Sequence, residues 1–183
     1  MRAAAFKADG AAIVPPTTLD VAPAARYAHL CASAAEARIV AMLAAGLARP
    51  TDGNVLIGEY DPRVQPVHCK RIAGFVPHDP LVIAPSEFSR YITYRAALWG
   101  IDQERARAHA SLLLERLHGI HEAFAYPIVA ALIPMPRLLV MDRPQPAYAA
   151  STLAAAGACA LFSTHIDMQP AAAYSGLREV AHA

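Results

Sequence analysis

The order of apolar and polar positions along the chain is typical of a mixed α/β protein. Short apolar or alternating runs predict strands, and apolar positions three or four apart predict helices. The predicted strands are 11–14, 17–21, 27–30, 54–58 and 70–76. The predicted helices are 34–48, 86–99 and 103–117. A turn is expected at Pro15 and Pro16, and Gly100 separates the last two helices.

The last third of the chain has a strand–helix–strand pattern. Leu138–Met141 and Ala158–Phe162 are continuous apolar runs, and the alanine-rich segment 148–156 between them is helical in composition. Strands that are buried on both faces are typical of parallel sheets, which bind ligands just beyond the carboxyl ends of their strands. Asp142 and His165 follow the two runs and are therefore candidate site residues.

Composition and charge argue against several classes of protein. The 183 residues carry a net charge of +1 and are 56% hydrophobic and 17% charged, which argues against disorder and against a nucleic-acid partner. No charge-free apolar run reaches the roughly 18–20 residues of a membrane span, and Lys7 and Asp9 make the N-terminus a poor signal peptide. The three scattered cysteines form neither a disulfide framework nor a CxxC metal site. We therefore expect one soluble, cytoplasmic domain.

Five segments match, in order, the segments of a known family. They are Ala45–Val55, Arg71–His78, Leu81–Gly100, Pro136–Pro144 and Leu161–His165. The first resembles the AGLLRPTSGEV segment that follows the phosphate-loop helix of ABC-type ATP-binding domains. The others resemble the Q-loop strand of that family, the helix after it, the Walker B segment and the switch segment. The resemblance covers about residues 11–170 and implies an α/β fold of the P-loop NTPase type.

This resemblance also implies an architecture. We expect a mostly parallel sheet with flanking helices and an antiparallel N-terminal β portion. The whole chain, 1–183, is expected to be a single ABC ATP-binding-like domain, with a core of about 1–77 and 136–183. The segment of about 78–135 is then a reduced helical subdomain, because the interval after Gly119 is too short for an LSGGQ signature and lacks its residues.

The phosphate-handling positions depart from the family pattern. The Walker A position, G-x-x-x-x-G-K-S/T in the family, falls on Cys31, Ala32, Ser33, Ala34, Ala35, Glu36, Ala37 and Arg38. The glycines that let backbone N–H groups surround the phosphates are missing, as are the lysine and the hydroxyl. Glu36 brings a negative charge towards the phosphates, and neither Lys7 nor Lys70 can replace the lysine. We therefore expect a vestigial nucleotide site.

Four further positions belong to the same vestigial site. His78 stands at the Q-loop glutamine, and Arg143 stands at the carboxylate that orients the attacking water in the family. Asp142, which binds magnesium in the family, and His165, which contacts the γ-phosphate, are retained. This retained pair has two interpretations. In the first, Asp142 and His165 contact the magnesium and the γ-phosphate of a bound nucleotide. In the second, Asp142 is a turn residue and His165 is hydrogen-bonded to the backbone. We expect Arg143 to pair with Asp142, so that an internal cation takes the place of the metal.

The loss of these groups determines the expected activity. Removing a positioned base lowers the rate by a factor of about 10²–10⁴, and removing one electrostatic contact lowers it by a factor of about 10²–10³. We therefore expect no significant ATP hydrolysis. The sequence therefore predicts a non-hydrolysing accessory subunit without a bound cofactor, and Asp142 is the single candidate metal ligand. One alternative is an ATP-binding subunit in which Arg38, Asp142 and His165 bind Mg·ATP in non-standard roles. The other is an unrelated small α/β enzyme.

The helix predicted at 86–99 is a candidate docking surface. In the family, the region after the Q-loop receives a coupling helix of the membrane subunit, so the resemblance implies an integral membrane partner of the permease type. Tyr91, Tyr94 and Trp99 are the candidate contact residues, because aromatic side chains are common interface anchors. The alternative is that the apolar stripe beginning at Phe88 only packs against the next helix. A competent ATP-binding subunit is a second candidate partner, and the expected location is the inner face of the cell membrane.

Overall fold

The computed structural model describes residues 1–175 and 180–182 of the chain. Its strands are β1 (Arg2–Ala8), β2 (Ala11–Thr17), β3 (Arg26–Leu30), β4 (Asp52–Asn54), β5 (Ala73–Val76), β6 (Leu138–Asp142), β7 (Ala160–His165) and β8 (Val180–His182). Its helices are α1 (Ala34–Ala44), α2 (Pro66–Ile72), α3 (Pro85–Leu98), α4 (Gln103–Arg116), α5 (Glu122–Leu132), α6 (Ala149–Ala156) and α7 (Met168–Ser175), with a 3₁₀ turn at Pro146–Tyr148. The predicted α/β class is confirmed.

Five parallel strands form the central sheet, in the order β5-β6-β7-β3-β8. The strand–helix–strand pattern of the last third is the β6–α6–β7 unit, and β6 and β7 pair in parallel as predicted. Because neighbouring strands run in the same direction, their carboxyl ends meet at one edge, which we call the carboxyl edge. There Asp142 lies opposite Thr164, and Leu30 lies opposite His165. This edge positions the candidate site.

A second, antiparallel sheet comes from the N-terminal part of the chain, in the order β2-β1-β4. It confirms the predicted antiparallel N-terminal β portion. The separate strand predicted at 17–21 is wrong, because β2 continues through Pro15 and Pro16 and ends at Thr17. β2 is an edge strand, and proline is tolerated there because its missing N–H group is not needed for pairing.

Two other predicted strands are wrong in part. The segment 54–58 does not form a strand: β4 pairs with β1 and ends at Asn54, and a tight turn joins Ile57 to Tyr60. The segment 70–76 begins as the end of α2, and only β5 is extended. Pro66 favours the start of α2, because its fixed φ suits the first helical position and its missing N–H group is not needed there.

Helices α3, α4 and α5 share one core cluster with one face of the parallel sheet. Most of the apolar positions that predict these two helices are confirmed, since this cluster contains Phe88, Ile92 and Ala96 of α3 and Ala106, Ala110 and Leu113 of α4, but not Trp99. The sequence pattern did not predict α5, because most of its residues are buried and it therefore has no broad polar face. It also contains Pro127, and proline is unusual inside a helix. Phe88 stacks on Tyr126 of α5 with ring centroids 3.8 Å apart.

The other face of the parallel sheet is covered by α1 and the antiparallel sheet. A second core cluster there includes Val40 and Leu43 of α1, Val14 of β2, Val140 of β6 and Phe162 of β7. Side chains alternate along a strand, so β6 and β7 contribute to both clusters and the parallel sheet is the centre of the fold. No helix within residues 1–175 and 180–182 combines the length and the apolar character of a membrane span.

Candidate functional site

The segments assigned to the vestigial nucleotide site meet at the carboxyl edge. The Cys31 N–H group donates to the carbonyl oxygen of His165 at 2.7 Å. The Arg143 N–H group donates to the carbonyl oxygen of Thr164 at 3.0 Å, and the Arg143 carbonyl oxygen lies 3.0 Å from Nδ1 of His78. Hydrogen bonds therefore join the loop before α1, the ends of β6 and β7, and the segment after β5 into one site.

The connection between β3 and α1 contains only Cys31, Ala32 and Ser33. The rest of the predicted Walker A segment, from Ala34 onward, is already helical. Ser33 is the N-cap of α1, and its Oγ accepts a hydrogen bond from the Glu36 N–H group at 3.1 Å. A serine followed three residues later by a glutamate favours such a helix start. A phosphate-binding loop presents several backbone N–H groups outside the helix, and this connection is too short to do so.

The Glu36 side chain folds back over this short loop. It is buried, and its Oε2 accepts a hydrogen bond from the Ala32 N–H group at 2.8 Å. The helix dipole favours a carboxylate at this position, so Glu36 occupies the place that helix N-termini offer to phosphates. Burial, together with the charges of Glu36 and Asp142, raises the pKa of the Cys31 thiol to about 12. The environment of the loop is therefore unfavourable to another anion.

Asp142 and Arg143 form a two-point ion pair, which is the pairing that the sequence predicts. Nε of Arg143 lies 2.8 Å from Oδ1 of Asp142, and Nη2 lies 3.2 Å from Oδ2. The hydrogen bond from the guanidinium to the buried carboxylate raises the pKa of Arg143. Magnesium takes carboxylate oxygens as ligands, and both of these are engaged by an internal cation. The residues present therefore do not fit a magnesium ion.

The described residues around this pair supply no further metal site, and the other candidate cation is also engaged by a carboxylate. Within residues 1–175 and 180–182, no group of three or more His, Cys, Asp or Glu side chains is arranged to hold a metal ion. Arg38, the other candidate cation, forms an exposed ion pair with Asp79, with Nη1 3.7 Å from Oδ2. Arg38 and Arg143 are therefore both engaged with carboxylates of this chain. The backbone of Arg143 is also unusual, because its φ of 45° is a left-handed conformation that non-glycine residues rarely adopt.

His165 is enclosed by the fold. Its side chain is 1% exposed, and Nε2 lies 2.8 Å from Oγ of Ser163. Its partner is thus a side chain on the same face of β7 and not the backbone, which corrects the structural interpretation drawn from the sequence. Burial lowers the pKa of His165 to about 4. A neutral, buried imidazole supplies no positive charge to a phosphate.

Two polar residues of this edge, His29 and Thr164, were not among the site residues predicted from the sequence. They lie opposite each other on β3 and β7, and both are buried. Neither ring nitrogen of His29 nor Oγ1 of Thr164 has a hydrogen-bond partner in the described part of the chain. Burial lowers the pKa of His29, and the charge of Glu36 acts in the opposite direction. The available signal in the sequence is a histidine inside the short strand predicted at 27–30.

Comparison with solved structures identifies the class of fold. CbiO1 from Clostridium perfringens, part of the ABC transporter complex CbiONQ, aligns with a TM-score of 0.70 and 14% identity over 91% of this chain and 77% of its own. An ATP-binding subunit of an ABC transporter aligns with a TM-score of 0.71 and 18% identity over 90% of this chain and 78% of its own. The ATP-binding cassette MJ0796, in a dimeric post-hydrolysis state bound to ADP and Pi, aligns with a TM-score of 0.69 and 14% identity over 94% of this chain and 90% of its own.

These likenesses show the fold of an ABC ATPase-like domain, and they confirm the P-loop NTPase-like architecture that the five segments imply. No protein-family model and no curated protein matches the sequence. Because one fold hosts many functions, the site residues, and not the fold, determine the activity of this chain.

Proposed function

We propose that this chain is a catalytically degenerate ABC-type ATP-binding subunit that does not hydrolyse ATP. It acts as an accessory or scaffold component and docks on a permease-type membrane partner at the inner face of the membrane. A competent ATP-binding subunit is its second partner. The whole chain is one domain, in which about 78–135 is the reduced helical subdomain.

The contact between the Glu36 carboxylate and the Ala32 N–H group is the observation that carries this proposal. It places a negative charge of the chain itself where a phosphate loop receives its ligand. The pairing of Asp142 with Arg143 supports the proposal independently, because it engages the carboxylate that magnesium needs. The burial of His165 removes the remaining candidate contact to a γ-phosphate.

Isothermal titration with Mg·ATP is expected to show no binding with a Kd tighter than about 1 mM. The reason is the repulsion between Glu36 and the phosphates, together with the loss of the loop and its lysine. A phosphate-release assay is expected to give a turnover below about 10⁻³ s⁻¹. Typical enzymes turn over at about 10 s⁻¹. The loss of the base and of the electrostatic contacts lowers this rate by a factor of more than about 10⁴.

The positive control for this experiment is a competent ABC transporter ATP-binding subunit in the same buffer. The Asp142→Asn variant separates the chain from a contaminating ATPase, because only activity that belongs to this site changes with it. Binding tighter than about 1 mM that weakens in Asp142→Asn would contradict the proposal. It would favour the alternative of an ATP-binding subunit with non-standard ligands.

The outer surface of α3 supports the docking part of the proposal. Tyr94 is 60% exposed and Leu98 is 61% exposed. Tyr91, Tyr94 and Leu98 are spaced by three and four residues, so they share one side of the helix, which we call the docking face. Tyr91 is half-buried beside Phe88, and the guanidinium of Arg95 lies 5.8 Å from the centre of its ring. The docking face is thus an apolar and aromatic surface.

Trp99 and Leu98 differ from the sequence-based expectation. Trp99 is the C-cap of α3 and is partly buried, whereas Leu98, which the sequence did not single out, is more exposed. Ile92 and Ala96 point to the core, as the alternative interpretation of the stripe requires. Inward packing and a docking face are compatible, because they use different sides of the same helix.

With the double variant Tyr94→Ala/Leu98→Ala, recovery of the membrane partner is expected to fall at least about tenfold, because a few anchor residues, tyrosine among them, carry most of the binding energy of an interface. The measurement is recovery of a permease-type protein with the tagged chain from detergent-solubilised membranes, identified by mass spectrometry. Leu112→Ala on α4 is the matched control, since Leu112 is 53% exposed outside the docking face. Unchanged recovery with the double variant, in a folded protein, would rule out this surface.

A further inference from the structure

Two adjoining clefts, which we together call the groove, lie at the end of the parallel sheet opposite to the carboxyl edge. The groove is lined by the segments that lead into four strands, with Ile72 before β5, Arg137 before β6, Cys159 before β7 and residues 22–24 before β3. Two clefts of about 440 Å³ each make up the groove, and both are lined by Gly58, Ile72 and Arg137. The groove therefore lies at the amino ends of the strands, whereas the vestigial nucleotide site lies at their carboxyl ends.

The two halves of the groove differ in chemistry. The half beside the starts of β3 and β7 is mainly apolar and is lined by Val21, Pro23, Leu138, Ala158 and Cys159. The half beside α2 carries most of the polar groups and is lined by Glu59, Tyr60, His68, Arg71 and Arg137. An apolar trough that ends beside two guanidinium groups is complementary to a molecule with an apolar tail and an anionic head.

Arg71 and Arg137 are the cations of the polar half. Both are exposed, and within the described residues neither forms an ion pair with a carboxylate. Guanidinium groups bind carboxylates and phosphates through two parallel N–H donors. Glu59 is the carboxylate that lines the same half, so two cations face one anion. This end of the groove therefore favours an anionic group.

Backbone hydrogen bonds hold both walls of the polar half. The Arg137 N–H group donates to the Ile72 carbonyl oxygen at 2.8 Å, and the Arg137 carbonyl oxygen accepts from the Ala160 N–H group at 2.9 Å. On the facing wall, Ile57 and Tyr60 exchange two backbone hydrogen bonds, of 3.0 and 3.3 Å. A site on a fixed backbone loses less freedom on binding than a mobile one.

We propose that this groove binds a small amphiphilic anion. Its carboxylate or phosphate head is held by Arg71 and Arg137, and its alkyl tail lies in the apolar half over Leu138 and Cys159. The guanidinium groups supply specificity for the head, and each methylene that leaves water strengthens binding of the tail. This inference does not rest on the proposed function, because the two sites lie at opposite edges of the sheet.

The test is isothermal titration of the full chain with octanoate below its micelle concentration. Octanoate is expected to bind with a Kd of about 1 mM or tighter. Acetate, which lacks the tail, and 1-octanol, which lacks the charge, are each expected to bind at least about tenfold more weakly. Octyl phosphate is expected to bind at least as well as octanoate, because a phosphate offers more acceptor oxygens to the two arginines.

Four variants test the assignment of the residues. Arg71→Gln and Arg137→Gln are each expected to weaken octanoate binding by about tenfold or more, the typical effect of losing a charge-assisted hydrogen bond. Glu59→Gln is expected to tighten octanoate binding several-fold, since the substitution removes a negative charge beside the carboxylate of the ligand. Arg116→Gln, which removes an exposed arginine on α4 outside the groove, is expected to leave the Kd unchanged.

Several outcomes would overturn the inference. The first is that octanoate does not bind, and the second is that acetate or 1-octanol binds as tightly as octanoate. The third is that Arg116→Gln weakens octanoate binding as much as Arg71→Gln or Arg137→Gln does. Circular dichroism establishes that each variant is folded. If an arginine variant does not fold, the Glu59→Gln variant tests the inference instead. Octanoate binding that is not tighter in Glu59→Gln than in the native chain would also overturn the inference. A positive Mg·ATP titration affects the proposed function alone, since the octanoate measurements concern the other edge of the sheet.

Discussion

We expect the Arg143→Met variant to lose about 3–5 kcal/mol of its free energy of unfolding at pH 7. The side chain of Asp142 is 3% exposed, and its two oxygens accept hydrogen bonds from Nε and Nη2 of Arg143. Methionine keeps much of the apolar stem of arginine but removes the charge, so a buried carboxylate is left without its partner. Urea unfolding followed by circular dichroism measures the difference.

The double variant Arg143→Met/Asp142→Asn separates the charge from other effects of the substitution. Removing both charges is expected to recover a large part of the loss, because the cost comes from an unpaired buried charge and not from a missing attraction. Arg116→Met is the matched control, and a change within about 0.5 kcal/mol is expected at this exposed position. A loss of similar size in Arg116→Met, or no recovery in the double variant, would contradict this account of the pair.

The second large effect is a loss of stability as the pH falls from about 6.5 to about 4. Burial lowers the pKa of His165 to about 4, whereas in the unfolded chain an imidazole has a pKa near 6.5. Between these values the unfolded state binds more protons than the folded state, so the free energy of unfolding rises with pH across this window. The contribution of His165 is about 3 kcal/mol, fully lost below the lower pKa. His29 acts in the same direction.

The measurement is the free energy of unfolding at several pH values between 4 and 7 for the native chain and for His165→Gln. The difference between the two curves isolates His165 from the carboxylates that also titrate in acid. The difference is expected to change by about 3 kcal/mol across the window. Leu112→Ala, at an exposed position and without change of a titratable group, is the control and is expected to run parallel to the native curve. A parallel curve for His165→Gln would contradict the role of burial.

Local patterns in the sequence were sufficient for much of the fold. The apolar stripes of α3 and α4 and the buried runs of β6 and β7 depend on residues close together in the chain, and the structure confirms them. The pairing of Asp142 with Arg143 was also predictable, because the two residues are neighbours and carry opposite charges. The five family-like segments imply the architecture that the structural likenesses show.

Other features were not predictable, because they depend on packing. The helix α5 has no broad polar face from which to recognise it, since most of its sides are covered by other elements. The Walker A departures were visible in the sequence, but the position of the Glu36 carboxylate was not. Its contact with the Ala32 N–H group requires the early start of α1 and the burial of its side chain.

Residue types and their spacing thus determine the α/β class and the order of most elements. The tertiary structure decides which groups meet: the hydrogen bond of His165 to Ser163, the buried His29 nitrogens that have no hydrogen-bond partner among the described residues, and the groove beside Arg71 and Arg137. The physical reason is distance along the chain. Helix and strand preferences act between near neighbours, whereas burial, and with it the pKa of a histidine, arises from segments that only folding brings together.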